Sequence, residues 1–368
     1  MSETRWVFIH PFQLRLQRGI EVYLWNLADA LIKDGIEVDI LTWDGPIKPP
    51  DYIRNSKVKL HKVPSVRYFQ AWFAVPYYVY WLLKGKYQHI FVNFAGFGEG
   101  LALRLVRLVR PIRFSLVVHF PRSLVPHRYD EFVRWNYQRN AKYLIAVSQA
   151  TASEVKQWAG RTCSVIGHGV DTHHFHPDAG LRVQVRQELG LGKETPVLIT
   201  VAALEERKGM QFVIQAMPKV LEEMPDARYL IIGEGTYKET LVELARSLNL
   251  QNTVLFLGFQ GDVERFLAAS DIAILLSRGE ASPVSLLEFT AAGLPVLTSL
   301  HPPFPELVSD WGEMVPEQDA GQVSQAIINL LSNKELRSRR GAQGRAWVIE
   351  NNNWHQVTRK YKDLVGFI

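Results

Sequence analysis

The stretch that most constrains the fold runs from Asp271 to Thr298. It opens with the apolar run 272–276, which has the pattern of a strand buried on both faces of a parallel sheet. Apolar residues at helical spacing follow over 283–292, and a further apolar strand begins at Pro295. A strand, a helix and a second strand in this order form a βαβ unit. The chain is therefore predicted to fold around parallel sheets with helices on their faces.

The predicted helix carries its own start and stop signals. Ser282 is expected to be the N-cap, and Pro283 fits the first turn because its missing N–H leaves no bond unmade there. Gly293 fits the C-terminal stop. The loop before the helix contains Glu280, and the helix itself contains Glu288. Ligands of open parallel sheets bind beyond the carboxyl ends of the strands, so both carboxylates lie on the expected ligand side.

These two carboxylates flank a predicted anion site. The N–H groups at the helix start attract a phosphate. Glu280 can accept hydrogen bonds from sugar hydroxyls, and Glu288 is placed for the cis-diol of a ribose. The pattern thus describes a nucleotide-sugar pocket. The alternative is structural: Glu280 complements the helix dipole and Glu288 faces solvent.

Length and composition indicate a globular protein with two domains. The chain of 368 residues, 47% hydrophobic and 21% charged, is long enough for two domains of ordinary size. The single cysteine, Cys163, rules out a disulfide framework and predicts a reducing compartment, the cytoplasm. No signal peptide or membrane span is predicted. The nearest apolar stretch, 69–83, contains Gln70 and Pro76.

The net charge of +5 arises from a basic first half of the chain. A basic half predicts an anionic partner: a membrane surface, a lipid-linked diphosphate or an acidic sugar. The alternative is that the charge only keeps the domain soluble. No nucleic-acid partner is predicted, because no recognition motif accompanies the charge. The aromatic stretch 69–83 has two interpretations: a helix packed on the sheet, which we favour, or an amphipathic surface that dips into a membrane.

Three motifs together resemble one enzyme family. Glu280-x7-Glu288, followed by Gly-x-Pro-Val at 293–296, resembles the donor-site motif of the group-1 (family four) retaining glycosyltransferases, which have the GT-B fold. Lys208-Gly209 and the segment Gly-Val-Asp at 169–171 resemble two further motifs of that family. The motifs occur in the family's order, and the resemblance covers nearly the whole chain.

The resemblance implies an α/β architecture. Two Rossmann-like parallel-sheet domains are expected to face each other across a cleft, and a C-terminal helix is expected to cross back to the first domain. The implied ranges are 1–177 for the acceptor-side domain, 178–350 for the donor-binding domain and 351–368 for the final helix.

Roles for individual residues also follow from the resemblance. Three are catalytic: Lys208 stabilises the leaving diphosphate, while Glu280 and His119 orient the transferred sugar. His119 follows the predicted strand 114–118, where the family has a strand-end histidine. The implied donor-binding residues are Arg18, Gly19, Arg207, Phe259, Ala281, Ser282, Val284 and Glu288.

The chain departs from the family pattern at three positions. Arg18 stands where the loop before the first helix usually has a glycine, and His168 replaces the asparagine of Asn-Gly-Val-Asp. Ala203 replaces the arginine that normally helps the lysine to neutralise the diphosphate. Arg207 or Arg18 is the expected substitute, and the helix start at Pro283 would bear more of the charge.

The predicted reaction transfers a hexose, with retention, from a nucleoside diphosphate sugar to a polysaccharide precursor or lipid-linked acceptor. Family frequency favours a UDP-sugar, with UDP-glucose as first choice. No Asp-x-Asp motif occurs, so no metal is expected to bridge the diphosphate, and no cofactor is expected besides the donor. The adjacent histidines of the loop 173–176 do not form a zinc site in this interpretation, because they do not converge.

Two other functions stay open. One is a nucleotide-sugar epimerase of related two-domain architecture, which would act without an acceptor. The other is a non-catalytic relative that binds a nucleotide sugar or recruits a partner, an option that Ala203 raises. The expected location is the cytoplasm, with peripheral attachment of the N-terminal domain at the inner membrane surface as an alternative.

Overall fold

The computed structural model describes residues 4–10, 19–43, 49, 53, 57–64, 71–93, 97–119, 140–308 and 310–367. Internal contacts divide the chain into two compact units. The first comprises Met1–Gly169 together with Trp354–Ile368, and the second comprises Val170–Asn353. The boundary expected from the sequence, after Pro177, lies a little later than the observed one.

The first unit contains a seven-stranded parallel sheet. Its strands are β1 (Arg5–His10), β2 (Glu37–Trp43), β3 (Lys59–Val63), β4 (His89–Val92), β5 (Phe114–Val118), β6 (Tyr143–Ala146) and β7 (Ser164–Val165). They lie in the order β3-β2-β1-β4-β5-β6-β7. The helices described in this unit are α1 (Gly19–Lys33), α2 (Ala71–Lys84), α3 (Phe97–Val109), α4 (Gln149–Ala159) and a C-terminal helix (Trp354–Val365).

The C-terminal helix packs on the first unit, as the resemblance predicted. The hydroxyls of Tyr361 on this helix and Tyr23 on α1 lie 2.5 Å apart in the buried interface. At the rim, Lys362 Nζ donates to Asp34 Oδ2 at 2.7 Å. The Tyr361 ring also contacts Phe91 of β4 edge-on at 5.3 Å, so the helix covers one face of the sheet.

Helix α2 confirms the favoured interpretation of the aromatic stretch. Its buried face, which includes Tyr78 and Leu82, joins the apolar cluster on the other face of the first sheet. Its outer face leaves Phe73 65%, Tyr77 47% and Tyr80 52% exposed. Among the described residues, no helix is long and apolar enough to cross a membrane.

The second unit contains a six-stranded parallel sheet. Its strands are β8 (Val197–Val201), β9 (Arg228–Ile232), β10 (Val254–Gly258), β11 (Ile272–Leu275), β12 (Val296–Ser299) and β13 (Glu313–Val315). Its helices are α5 (Ala179–Glu188), α6 (Met210–Glu223), α7 (Lys238–Ser247), α8 (Val263–Ala269), α9 (Val284–Ala291), α10 (Phe304–Val308), α11 (Ala320–Ser332) and α12 (Lys334–Asn351). The strand order is β10-β9-β8-β11-β12-β13.

The second sheet has an apolar cluster on each face. Successive side chains of β8 alternate between them: Leu198 belongs to one cluster and Ile199 to the other. A strand buried on both faces must be apolar throughout, which is why the run 272–276 identified this sheet from the sequence.

Asp39 of β2 holds the first sheet together with a buried polar network. Its carboxylate is 0% exposed and accepts hydrogen bonds from Arg5 Nη2 and the Tyr87 hydroxyl, both at 2.7 Å. His61 Nε2 lies 2.5 Å from the same carboxylate. Burial alone would raise the pKa of Asp39, but the bonds from His61, Tyr87 and Arg5 hold it below its usual value.

We expect Asp39→Asn to destabilise the protein by about 3 kcal/mol, because it leaves the Arg5 charge without its buried partner. Chemical denaturation measures this. The depressed pKa of Asp39 implies stability that is present above pH ~4 and is lost as the pH falls through the folded-state pKa, so the variant should lose part of the wild-type acid transition. Glu37→Gln, which breaks a more exposed pair with Lys59, is the control and should cost under ~1 kcal/mol.

Candidate active site

The candidate site lies where the strand order of the second sheet reverses. β8 and β11 are neighbours, but the chain continues from β8 to β9 on one side and from β11 to β12 on the other. The loops that leave their carboxyl ends therefore diverge and open a crevice, which is the usual ligand site of such sheets. The first loop leads to Lys208, and the second contains Glu280.

Gly209 brings the two loops together. It follows a 3₁₀ turn at Glu206–Lys208 and has a φ of +76°, which favours glycine. A Cβ atom built there would lie 2.2 Å from the carbonyl oxygen of Leu276, at the end of β11. This close backbone contact carries Lys208 to Glu280, with which it forms an ion pair. The pair is mostly buried, because the two side chains are 13% and 11% exposed.

Glu280 is held by donors from both loops. Its Oε1 atom accepts a hydrogen bond from the Ser277 hydroxyl at 2.7 Å, in addition to the Lys208 ammonium. Arg207 Nη1 lies 3.7 Å from the same oxygen. Glu280 thus does more than complement a helix dipole: it neutralises a cationic cluster at the crevice.

Arg207 stabilises the conformation of the second loop, which contains Glu280. Its Nη1 atom donates to the carbonyl oxygen of Gly279 at 3.0 Å, and its Nε atom donates to Glu205 at 2.8 Å. Its own carbonyl accepts from the N–H of Arg278 at 2.7 Å. Its charge therefore lies beside Lys208, in the loop where Ala203 replaces the family arginine. Arg18, the other expected substitute, lies outside the described residues.

The prediction that Ser282 caps α9 is wrong. The helix begins one residue later than expected: Pro283 is the N-cap, and its side chain makes no capping hydrogen bond. The N–H of Leu286 bonds to the carbonyl of Pro283 at 3.2 Å, so the first turn is closed by the backbone. Because proline has no side-chain oxygen, the first N–H groups of α9 stay available to an anion. Gly293 ends the helix with a φ of +77°, as predicted.

Glu288 lies half-buried on α9 and does not face open solvent. Burial raises its pKa to about 7; the nearby His174 opposes this shift and Glu264 adds to it. The Nε2 atom of His174 lies 3.3 Å from Glu264 Oε2 on α8. Burial disfavours a charge on His174, but the bond to Glu264, with the charges of Asp171 and Glu288, raises its pKa overall. Near neutral pH, Glu288 can therefore exchange a proton when a ligand binds.

The remaining predicted donor residues are spread over the same sheet and the first unit. Ala281 is buried, while Ser282 and Val284 are half-buried beside Glu280. Phe259 follows β10, two strands away from β8, and is 59% exposed. Gly19 is the exposed first residue of α1 in the first unit.

His119 follows β5 in the first unit, and both of its ring nitrogens have partners there. Nδ1 lies 3.3 Å from His168 Nε2, and Nε2 lies 3.2 Å from Asn93 Oδ1. Burial lowers the pKa of His119 well below 6.5, so the imidazole is neutral. Sequence reasoning missed Asn93 and the contact with His168. The available signal was that Asn93, like His119, directly follows a strand, whereas His168 lies three residues after β7.

Solved structures define the class of fold. A crystal structure of Anabaena HepE in complex with UDP and glucose superposes with a TM-score of 0.85, covers 99% of this chain and 100% of its own, and is 17% identical. The two parallel-sheet units thus have the GT-B glycosyltransferase fold, as the motifs implied.

Family models match both halves of the chain. The model "Glycosyltransferase Family 4" matches residues 17–174, and "Glycosyl transferases group 1" matches residues 182–347. The chain therefore belongs to the group 1, family four glycosyltransferases.

Curated relatives match over part of their length. N-acetyl-alpha-D-glucosaminyl L-malate synthase of Bacillus anthracis is 31% identical over 49% of this chain and 48% of its own. A GDP-mannose-dependent monoacylated alpha-(1-6)-phosphatidylinositol monomannoside mannosyltransferase of Corynebacterium glutamicum is 35% identical over 60% of this chain and 61% of its own. The chain thus spans less than two thirds of either relative.

We expect Gly209→Ala to disrupt the crevice, because the new Cβ atom cannot fit against the Leu276 carbonyl. The second unit should lose about 2 kcal/mol or more of stability, and Lys208 should move away from Glu280. Thermal unfolding and nucleotide binding measure the two effects. Gly190→Ala is the matched control: Gly190 also has a positive φ, of +65°, but a Cβ atom added there would meet nothing within 4 Å. Equal losses in both variants would mean that backbone strain alone, and not the contact with Leu276, explains the effect.

Proposed function

We propose that this protein is a retaining glycosyltransferase that moves a hexose from a nucleoside diphosphate sugar to a saccharide or lipid-linked acceptor. The observation that carries the proposal is the Lys208–Glu280 pair at the switch point of the second sheet, beside the start of α9. A cation, a carboxylate and a helix N-terminus together provide contacts for a diphosphate and a sugar.

The mostly buried ion pair suggests how the donor is received. A diphosphate that enters the crevice competes with Glu280 for the Lys208 ammonium. Lys208 then stabilises the negative charge that grows on the leaving group, together with the first N–H groups of α9. Glu280, released from Lys208 but still bonded by Ser277, accepts hydrogen bonds from the sugar.

Arg207 adds positive charge without being the main phosphate ligand in this proposal. Its side chain is committed to Glu205 and to the carbonyl of Gly279, and so keeps the second loop in place. Its guanidinium still raises the local potential, which compensates in part for Ala203.

Retention is proposed through a front-face reaction, in which the leaving phosphate takes the proton of the acceptor hydroxyl. Such a reaction does not need the pair of acid and base carboxylates that glycosidases use. His119 is assigned to the transferred sugar on the family resemblance alone, and because Asn93 and His168 engage both of its ring nitrogens, it would orient the sugar through its neighbours. The diphosphate charge is assigned to cationic side chains and the helix start rather than to a metal.

A UDP-hexose is the first choice of donor, with UDP-glucose preferred, and GDP-mannose is the second. The HepE structure contains UDP and glucose, whereas the C. glutamicum relative is named for GDP-mannose. That relative is also named for a phosphatidylinositol glycoside, which supports a lipid-linked acceptor for this chain.

A membrane-facing surface on the first unit is part of the proposal. Helices α2 and α3 pack on each other. On their outer faces, Phe73 is 65%, Leu108 83% and Val109 72% exposed, with Arg107 beside them. Exposed apolar residues next to a cation suit the interface of an anionic membrane, where a lipid-linked acceptor would be found.

A donor screen tests the proposed activity. We expect one of UDP-glucose, GDP-mannose or an ADP-sugar to raise the unfolding temperature, because it binds the folded state. With the labelled donor that binds, label should then pass to a total membrane or polysaccharide extract. Epimerised sugar without acceptor would support the epimerase instead. Donor binding without transfer or hydrolysis would support the non-catalytic relative and contradict the proposal.

Glu288 and Glu280 should differ in their effects. Glu288→Ala should weaken nucleotide binding by about tenfold or more, because it removes a charged acceptor that we assign to the ribose. Glu280→Ala should mainly lower kcat, by about 100-fold, because it acts on the sugar in the reacting complex. Glu243→Ala, on the exposed surface of α7, is the control. Negligible effects of both site variants would refute the assignment.

The raised pKa of Glu288 predicts pH-dependent binding. A carboxylate accepts the ribose hydroxyls better than a carboxyl group, so below pH 7 binding must also remove a proton. The affinity for UDP or GDP should therefore rise with pH up to about 7 and then level off. Calorimetry between pH ~5.5 and ~8 measures this, and Glu288→Gln should flatten the profile. An unchanged profile in Glu288→Gln would contradict the assignment to Glu288 and would leave His174 or the terminal phosphate of the nucleotide, which loses its second proton near pH ~6, as the titrating group.

A further inference from the structure

The first sheet also has a switch point. From β1 the chain continues to β2 on one side, whereas β4 lies on the other side and leads to β5. Asn93 directly follows β4, and its N–H bonds to the carbonyl of Ile9 in β1 at 3.0 Å. Asn93 therefore lies at the carboxyl ends of the two strands between which such sheets bind ligands.

The side chain of Asn93 is buried but incompletely bonded. It is 4% exposed, and its Oδ1 atom faces His119 Nε2 at 3.2 Å. Its Nδ2 atom has no hydrogen-bond partner among the described residues. A buried N–H group without an acceptor costs about 1–3 kcal/mol, so such a group calls for an explanation, and a missing ligand is one.

The contact of Oδ1 with His119 sets the tautomers of the neighbouring histidines. A neutral imidazole has one N–H group, and the Oδ1 atom of Asn93 can only accept, so the proton of His119 lies on Nε2. Nδ1 of His119 then accepts from the Nε2–H group of His168. The Tyr23 ring packs against both imidazoles, with centroids 5.1 Å and 4.5 Å away. His168 thus donates to His119, and His119 donates to the Oδ1 atom of Asn93. The N–H groups of the Asn93 amide are left for a ligand.

The charge state of the described histidines near the amide favours a neutral ligand. Burial lowers the pKa of His10, at the end of β1, to about 4, and it also keeps His119 uncharged. These groups therefore offer hydrogen bonds and not positive charge. A hydroxyl oxygen suits such surroundings better than a phosphate does.

We propose that the side-chain amide of Asn93 donates a hydrogen bond to a saccharide hydroxyl, and that His168 is a positioning residue that acts on Asn93 through His119. This inference rests on the proposed function and names the group on the first unit that recognises a sugar. It also gives a reason for histidine at 168: the imidazole reaches His119 and packs against Tyr23. The hydroxyl can belong to the donor hexose or to the acceptor.

Deoxy sugars test the role of Asn93 directly. Wild-type protein and Asn93→Ala are compared on UDP-glucose, or on GDP-mannose if the screen selects it, and on each monodeoxy analogue of that sugar. We expect Asn93→Ala to lower kcat/KM about tenfold on the intact sugar. For the analogue that lacks the bound hydroxyl, wild type and variant should be equally active. The same comparison with monodeoxy acceptors decides between the two sources.

If wild type and Asn93→Ala become equally active when one donor hydroxyl is removed, the amide binds the donor. If they become equally active when one acceptor hydroxyl is removed, the amide binds the acceptor. An equal loss with every analogue in both series would overturn the inference while wild-type transfer still supported the proposed function. No transfer or hydrolysis by wild type would instead defeat the proposed function. If Asn93→Ala does not fold, Asn93→Asp replaces it, because the carboxylate still accepts from His119 but has no N–H group to donate.

A double-mutant cycle tests the positioning role of His168. His168→Asn, which restores the usual family residue, should lower kcat/KM about threefold to fivefold and should add little in the Asn93→Ala background. A purely structural residue would lower activity by the same factor in both backgrounds, and this result would remove His168 from the proposal. Ser115→Ala is the matched control. It removes the buried 2.9 Å hydrogen bond between Ser115 and His89, which lies at the ends of β4 and β5 that are remote from Asn93 and His119. Its effect on kcat/KM should therefore be the same with and without Asn93→Ala.

Discussion

The candidate active site depends on one close backbone contact. Gly209 lies against the carbonyl of Leu276, closer than any residue with a Cβ atom could come. The contact joins the loops that leave β8 and β11, which the reversal of strand order would otherwise separate. Lys208 and Glu280 meet because of it, and Arg207 and Ser277 then complete the cluster. The charge arrangement is thus a consequence of topology and of one glycine.

The two sheets use the same topology for different chemistry. At the switch point of the second sheet, a lysine, an arginine and a helix start concentrate positive potential around Glu280. At the switch point of the first sheet, His119 and Asn93 form a neutral, hydrogen-bonded group. Charge suits a diphosphate and neutral hydrogen bonding suits hydroxyls, and for this reason we assign the diphosphate to the second unit and sugar hydroxyls to the first in the proposed function.

Several features could be predicted from the sequence because they depend on local pattern. Apolar runs such as 272–276 identified the buried strands, and Gly293 identified the end of α9. The sequence prediction failed at the start of α9, where two adjacent residues both suit the position. Ser282 and Pro283 both suit an N-cap region, and the backbone turn at Pro283 decided the outcome. Asn93 carried no motif, and its position directly after a strand was the only signal for its pairing with His119.

The sequence alone determined the fold class, the family and the identity of the charged residues, because strand periodicity and motif spacing are properties of neighbouring residues. The tertiary structure decided which side chains meet. Lys208 and Glu280 are far apart along the chain, as are Asn93, His119 and His168, and only the order of parallel strands brings them together. It also decided the protonation of Glu288, since its pKa of about 7 arises from burial that no local pattern records.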